Sequence, residues 1–411
     1  MTNKYDEFIT DTMKANPSDP GWAALEARLI KLVDEEINPF LRSKGREMEQ
    51  ARHITPDVIE RLMDAGLMQL LRPLMFGGIE APMEVMYRVG RRLGYGDGSV
   101  SWVYTVANSH DHTIAMYPKH VQEEYWASAR PLAASSFIPT GNAAPADGGF
   151  TLNGRWGFCS GIDYCDWIII GGVAPADANS VPTMRYFLVP TSQCRIVDDW
   201  HVSAMRATGS KAVFLDDLFV PAERALTDQE VSENKAPGSG LHPSPMFAAP
   251  AWTLQGFSIG AAVSGIARAG FDELLTDFRG RYERKEPMIM GKLGAVQTHF
   301  SEVKAMLDCS DMFYESALTE TFRQVNETRT VTLERRLQNR RDLSYSVLNA
   351  KRAVDILLPM AGARYIAEDK LLQRSWRDVG AASTHPALNW DGPALSGGNV
   401  LLGGEPTEPR Y

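Results

Sequence analysis

The chain has 411 residues, 44% of them hydrophobic and 23% charged, a balance that supplies a large buried core and excludes a disordered or fibrous protein. Its 42 Lys and Arg stand against 51 Asp and Glu, a net charge of −9, so a nonspecific nucleic-acid surface, which needs clustered cation, is excluded. The length predicts two or three domains.

From 20 to 135 the pattern is helical. Apolar residues recur at helical spacing at Trp22, Leu25, Leu29, Leu32, Val33 and Ile37. Thr55-Pro56-Asp57 then opens a helix with Thr55 as N-cap and Pro56 in its first position, and Gly66 suits its C′ end. Helical spacing resumes over 82–93 and 99–116. Between about 132 and 225 β-branched and aromatic residues alternate with polar ones. Asn153-Gly154 predicts a hairpin turn between Phe150-Thr151-Leu152 and Arg155-Trp156. Further strands are predicted over 167–173, 184–189, 194–202 and 212–220. Residues 226–246, with Pro237-Gly238-Ser239-Gly240 and Pro243-Ser244-Pro245, predict a long exposed loop. Beyond 252 the pattern is again helical, and the stripes Val296, Phe300, Val303, Leu307 and Leu343, Val347, Ala350, Val354 predict a four-helix bundle. The expected class is α+β, mostly α: a helical domain over 1–135, a β barrel or sandwich over 136–240 and the bundle over 241–411.

Local motifs exclude several chemistries. Gly94-Tyr95-Gly96-Asp97-Gly98 lacks the third glycine of a dinucleotide loop, and Gly291-Lys292 has no phosphate loop before it. Ser301-Glu302-Val303-Lys304 matches S-x-x-K but no K-T-G follows. His110 and His112, two apart on a helix, point to different faces, and no metal site is expected. The four cysteines show no C-x-x-C spacing. The longest apolar runs, 167–170 and 258–267, fall short of the roughly 20 residues of a membrane span, and Met1-Thr2-Asn3-Lys4-Tyr5-Asp6 lacks the apolar core of a secretory signal. A cytoplasmic location is expected, with neither nucleic acid nor membrane as partner.

Three segments carry a resemblance: Leu62-Met63-Asp64-Ala65-Gly66-Leu67 followed by Phe76-Gly77-Gly78, Met205-Arg206-Ala207-Thr208-Gly209-Ser210 leading to 213–221, and Gln297 in the first part of a long helix. Together with the order of helices, strands and helices they resemble the acyl-CoA dehydrogenase fold. A dehydrogenase needs a carboxylate to remove the α-proton of its substrate, in that family commonly the Glu of a Tyr-Glu-Gly-Thr stretch. Here Ser375-Trp376-Arg377-Asp378-Val379-Gly380 stands in its place, so Arg377 replaces the base. Trp376-Arg377-Asp378 with Ala381-Ala382-Ser383-Thr384-His385, Trp156-Gly157-Phe158-Cys159-Ser160-Gly161, and 102–110 are instead similar to the flavin-dependent monooxygenases of this fold, such as 4-hydroxyphenylacetate 3-hydroxylase oxygenase and dibenzothiophene monooxygenase.

The resemblance implies reduced flavin, FMNH2 or FADH2, delivered by a separate NAD(P)H:flavin reductase, a flavin C4a-hydroperoxide formed with O2, hydroxylation of a small aromatic substrate, and a homotetramer. It implies a hydrogen bond from Ser160 near flavin N5, where the residues alone suggest a turn serine. His385 is expected to control peroxyflavin protonation by titrating near neutrality. His110 and Ser135, or Ser136 in its place, resemble a pair that holds a phenolic hydroxyl, and Trp102 either stacks on ligand or fills core. Trp156 and Phe158 either border the isoalloxazine or fill the barrel. Arg284 or Lys285 is expected to meet the flavin phosphate, with Gln297, Trp376 and Arg377 also on the cofactor. Residues 241–267 hold Met246, Phe247, Trp252, Leu254, Phe257 and Ile259 but no Lys or Arg. That predicts a neutral aromatic, phenolic or polycyclic substrate, with Phe247 and Trp252 against it. Competing readings are an acyl-CoA dehydrogenase with another base, oxygenation at N or S, and a non-catalytic protein on the same scaffold.

Overall fold

The computed structural model describes residues 4–175 and 180–408; 1–3, 176–179 and 409–411, and with them the outer ends of the first and third predicted domains, lie outside the described residues. The N-terminal helices are α1 (Asp11–Ala15), α2 (Pro20–Leu32), α3 (Asn38–Ala51), α4 (Pro56–Asp64), α5 (Met83–Leu93), α6 (Gly98–Ile114) and α7 (Lys119–Ala127). The middle strands are β1 (Ala133–Ser136), β2 (Asn142–Ala146), β3 (Gly149–Cys159), β4 (Trp167–Ala174), β5 (Thr183–Pro190), β6 (Arg195–Val197), β7 (Lys211–Pro221) and β8 (Ala225–Thr227). Then follow α8 (Asp228–Ser232), α9 (Ala251–Glu283), α10 (Pro287–Met290), α11 (Leu293–Thr328), α12 (Leu333–Ala361), α13 (Leu371–Ala382) and α14 (Asp391–Leu401).

Helix α6 packs against α5, α9 and β1. Every residue of it but Val106 and Ser109 is buried, as expected of a helix packed on all sides. Its start is set by Asp97, which accepts from Val100 N at 3.1 Å and so satisfies one of the helix's free N–H groups. At α4, Thr55 occupies the N-cap but its hydroxyl makes no cap bond. Helices α9, α11, α12 and α13 form the bundle. Helix α9 crosses the end of α5 where two glycines meet: a Cβ on Gly265 would lie 2.2 Å from the Arg91 carbonyl oxygen and 2.8 Å from Gly94 Cα. No helix of the described residues is long and apolar enough to cross a membrane.

The strands form two four-stranded sheets, in the orders β1-β4-β5-β8 and β2-β3-β7-β6. Asn153-Gly154 does not turn a hairpin. It lies inside the single long strand β3 as a bulge, with the register to β7 shifting between Leu152 and Gly154 and Gly154 at φ +136. Close approach explains the glycine, since a Cβ there would stand 2.7 Å from Gly141 Cα. The β2–β3 turn falls at Asp147-Gly148 instead, with Gly148 at φ +74. The predicted strand over 194–202 shortens to β6. The predicted loop over 226–246 is not an exposed one: it carries α8, closed by a capping box between Thr227 and Glu230, and buries Val231, His242, Met246 and Phe247.

Candidate active site

His110, on buried α6, donates from Nδ1 to the Ala133 carbonyl at 2.6 Å. A carbonyl only accepts, so the proton sits on Nδ1 and Nε2 keeps a lone pair. Burial pushes the imidazole down to about 4, opposed by the Ala133 bond; it is neutral at pH 7. Alternation along β1 puts Ser135 on the same face as Ala133 and Phe137. Phe137 meets His110 edge-on at 5.9 Å, Trp252 at 5.2 Å and Tyr186 at 5.6 Å, and Trp252 and Tyr186 lie 5.1 Å apart. Ser136, on the other face, donates to Gly157 O at 2.8 Å and ties β1 to β3. Among the described residues Ser135 has no such side-chain tie.

The turn after β3 packs on α6: a Cβ on Gly161, at φ +73, would lie 2.7 Å from Val103 Cγ1. Ser160 Oγ lies 2.8 Å from Ser210 Oγ, and Ser210 Oγ lies 2.7 Å from Thr208 Oγ1. Thr208 in turn donates to Met205 O at 2.8 Å. The loop bearing these hydroxyls is held by α13. Buried Asp378 accepts from Met205 N at 2.5 Å, and Arg377 donates to Ser203 O and, at 2.8 Å, to Glu49 Oε1. Arg377 thus acts as a clamp between α13, α3 and this loop. Asp378, Thr208 and Ser210 carry no role in the sequence analysis, although all three stand in segments that bear the resemblance; Phe137 has only strand alternation to mark it.

His385 meets Trp102 edge-on at 5.7 Å. Its Nδ1 accepts from Ala387 N at 3.1 Å, which leaves the proton on Nε2. Burial, with the repulsion of Arg340, pushes it down to about 4. The expectation of a group titrating near neutrality is therefore not met. Arg340 also fixes this loop, donating to Ala387 O at 2.5 Å and Pro386 O at 3.2 Å.

Other expected site residues lie elsewhere. Phe247 stacks on His112 at 6.1 Å and meets His242 at 4.8 Å, on the far side of α6 from His110. Trp156 is fully buried and donates to Gly171 O at 2.8 Å, filling the β module rather than bordering a cofactor. Trp376 gives Nε1–H to Asp355 at 2.8 Å. Arg284 is exposed and pairs with Glu286 at 2.8 Å, and Gln297 is exposed on α11. Arg284 follows the last residue of α9 and Trp252 is near its first, so the two stand about 48 Å apart at 1.5 Å per residue. They cannot serve one site within one chain.

Two family models match the chain: acyl-CoA dehydrogenase, N-terminal domain, over residues 23–129 and acyl-CoA dehydrogenase, C-terminal domain, over residues 257–390. The FADH2-dependent resorcinol hydroxylase, oxygenase component, of Rhizobium sp. (strain MTP-10005) is 30% identical over 402 residues, 94% of this chain and 97% of that protein. The chain belongs to the flavin-dependent monooxygenases of the acyl-CoA dehydrogenase fold. Similar to this oxygenase too is the flavin-dependent monooxygenase, oxygenase subunit HsaA, of Rhodococcus jostii (strain RHA1), 29% identical over 362 residues, 86% of this chain and 93% of the other. Among solved structures, 3-HSA hydroxylase from Rhodococcus sp. RHA1 superposes with a TM-score of 0.87 at 28% identity, over 92% of this chain and 98% of that one. XiaF from Streptomyces sp., in complex with FADH2 and glycerol, gives 0.85 at 26%, over 98% and 100%.

The oxygenase works with reduced flavin and O2, and its own residues fit such a ring. Phe158 stands 73% exposed at φ +61, beside Trp200 at 5.7 Å. A large apolar side chain held out by strained backbone calls for a planar cover. Arg206 pairs with no carboxylate among the described residues, and its buried Nε has no hydrogen-bond partner, which leaves a donor for a flavin oxygen. Ser160 keeps lone pairs clear of the hydroxyl chain behind it.

Proposed function

We propose that this oxygenase hydroxylates a neutral phenol, of one ring or several, held between His110 and Ser135. The observation that carries this reading is the locked tautomer of His110: Nδ1–H is committed to Ala133 O, so Nε2 offers a phenol a hydrogen-bond acceptor. Drawing on the phenolic O–H raises electron density at the ortho carbon and fixes the ring's position, a gain in orientation as much as in reactivity. Phe137, Tyr186 and Trp252 supply an aromatic wall, and Trp102 with His385 a second boundary. No Lys or Arg belongs to that wall among the described residues, and Arg340 behind His385 is paired with Glu408, so a carboxylate on the substrate would be desolvated without a partner.

Bound reduced flavin supplies the electrons that activate O2, one atom of which enters the ring while the other leaves as water. In this reading Ser160 stands at flavin N5, Phe158 against the ring, and His385, neutral with its proton on Nε2, is a hydrogen-bond donor. Arg284, too far from Trp252 to reach the same site, and Gln297, exposed on α11, serve the flavin of a neighbouring subunit in a homotetramer. A separate NAD(P)H:flavin reductase provides the reduced flavin, and the cytoplasm is the matching compartment. The test is turnover of a neutral bulky phenol against a phenolic acid, with His110→Asn and Ser135→Ala beside the wild type. Preference for the neutral phenol, with turnover of it lowered in both variants, is expected; clear preference for the acid overturns the reading.

A further inference from the structure

The hydroxyl chain Ser160–Ser210–Thr208 ends on a backbone carbonyl, and that end sets the direction of every proton in it. Thr208 has one hydroxyl proton, and it goes to Met205 O at 2.8 Å. At the 2.7 Å contact with Ser210, Thr208 is therefore the acceptor and Ser210 the donor. Ser210 has then no proton left for its 2.8 Å contact with Ser160, so Ser160 donates inward. Thr208 and Ser210 are 2% and 4% exposed, which keeps water from supplying an alternative partner. What Ser160 presents outward is a lone pair, so where a hydrogen-bond donor is expected of it near flavin N5 it is instead an acceptor.

We propose that Thr208 and Ser210 act as positioning residues that make the site discriminate between the redox states of its flavin. The inference rests on the reading that places Ser160 at flavin N5. Reduced flavin carries a hydrogen on N5 and is a donor there, which matches the outward lone pair of Ser160. Oxidised flavin has only a lone pair at N5. To bind it with a hydrogen bond, either Ser160 turns its proton outward and loses its bond to Ser210, or all three hydroxyls turn round and Thr208 gives up its bond to Met205 O. The difference is one hydrogen bond between neutral groups, on the order of threefold to tenfold in the ratio of dissociation constants. Met205 cannot drift to relieve this, because its N–H is held by Asp378 at 2.5 Å. The residues thus favour the form that arrives from a reductase and favour release of the form left at the end of a cycle.

The experiment is an anaerobic titration of the purified full chain with FMN and with dithionite-reduced FMN, the FAD pair run in parallel, followed by flavin fluorescence and absorbance. Thermal melts confirm that each variant is folded. Ser210→Ala and Thr208→Val each free the Ser160 proton to turn outward, so the preference for reduced over oxidised flavin is expected to fall about threefold to tenfold, chiefly by tighter binding of the oxidised form. Thr208→Ser restores the hydroxyl and the wild-type ratio. Ser160→Ala is expected to abolish the part of the preference that depends on N5. If Ser160→Ala changes the preference while Ser210→Ala and Thr208→Val leave it within twofold of wild type, the relay is overturned and the placement of Ser160 stands. If Ser160→Ala itself leaves the preference unchanged, the placement fails and the inference falls with it.

Discussion

Truncating Asp378 removes the carboxylate that joins α13 to the loop of Met205, Thr208 and Ser210. Asp378 is 3% exposed and accepts from Met205 N. Near it, Arg374 pairs with Asp97 at 3.3 Å, with side chains 11% and 3% exposed, and is held above its ordinary value by Asp97, Asp378 and Glu49 against the cost of burial. Burial pushes Asp378 up to about 7, so it is mostly the carboxylate at pH 8; there Asp378→Ala leaves a buried N–H without an acceptor and takes one of the charges that balance Arg374, a loss of about 3–5 kcal/mol for a broken buried charge network. Asp378→Asn keeps an oxygen for Met205 N and loses only the charge, about 1–2 kcal/mol. With about 2.1 cal/mol/K of unfolding entropy per residue and 411 residues, the alanine variant should melt about 4–6 °C below wild type and the asparagine variant about 1–2 °C below, at equal protein concentration by calorimetry. An alanine variant that melts within 1 °C of wild type refutes the anchoring role. So does one that melts above the asparagine variant.

His110, His112 and His242 are 5%, 1% and 2% exposed, and burial pushes each down to about 4. Each is neutral in the fold and takes a proton near 6.5 in the unfolded chain, so stability present above pH 6.5 is lost as pH falls toward 4, by up to roughly 3 kcal/mol per group. Burial pushes Glu84 and Asp378 up to about 7, and these act with the opposite sign over the same range, so the check is a difference: the melting temperature of His112→Asn relative to wild type should rise as pH falls from 7 to 4.5, and a constant difference contradicts this burial. Ser160→Ala and His385→Asn are each expected to raise H2O2 release relative to product in the presence of reductase, and unchanged coupling in both removes the roles given to them. Gly265→Ala forces a Cβ to 2.2 Å from Arg91 O, which must part α5 from α9 at a cost of about 1–3 kcal/mol; an unshifted melt would show that the helices separate freely.

Periodicity carries far in this chain where one face meets one neighbour, and fails where tertiary contact overrides a local preference. The bundle stripes at Val303, Leu307, Val347 and Val354 are all buried, because a helix with one apolar face has one way to hide it. Asn153-Gly154 carries the same local signal as a hairpin, yet Gly141 from the neighbouring strand occupies the space that makes it a bulge. The sequence around 153 does not show that Gly141 folds back against it. Phe247 and Trp252 looked equivalent as apolar residues on one cation-free segment, but they fall on opposite sides of α6, with His112 and with Phe137. Arg377 was legible as a departure from a base, while its partners Glu49 and Ser203 come from two other parts of the chain.

The proton inventory of the site was the least legible part, because backbone groups set it. Ala133 O places the proton of His110 on Nδ1, Ala387 N–H places that of His385 on Nε2, and Met205 O turns three hydroxyls inward. Carbonyls and amides carry no side-chain signature, so residue identity alone left each of these groups able to donate or accept. Their polarity now divides the work: His110 accepts, His385 donates, and Ser160 presents a lone pair. Both imidazoles are pushed down to about 4, so neither changes charge between pH 5 and 8. A pH dependence of turnover in that range is then expected to follow the phenol, the flavin or Asp378, which burial pushes up to about 7 and whose carboxylate holds the loop of Met205, Thr208 and Ser210.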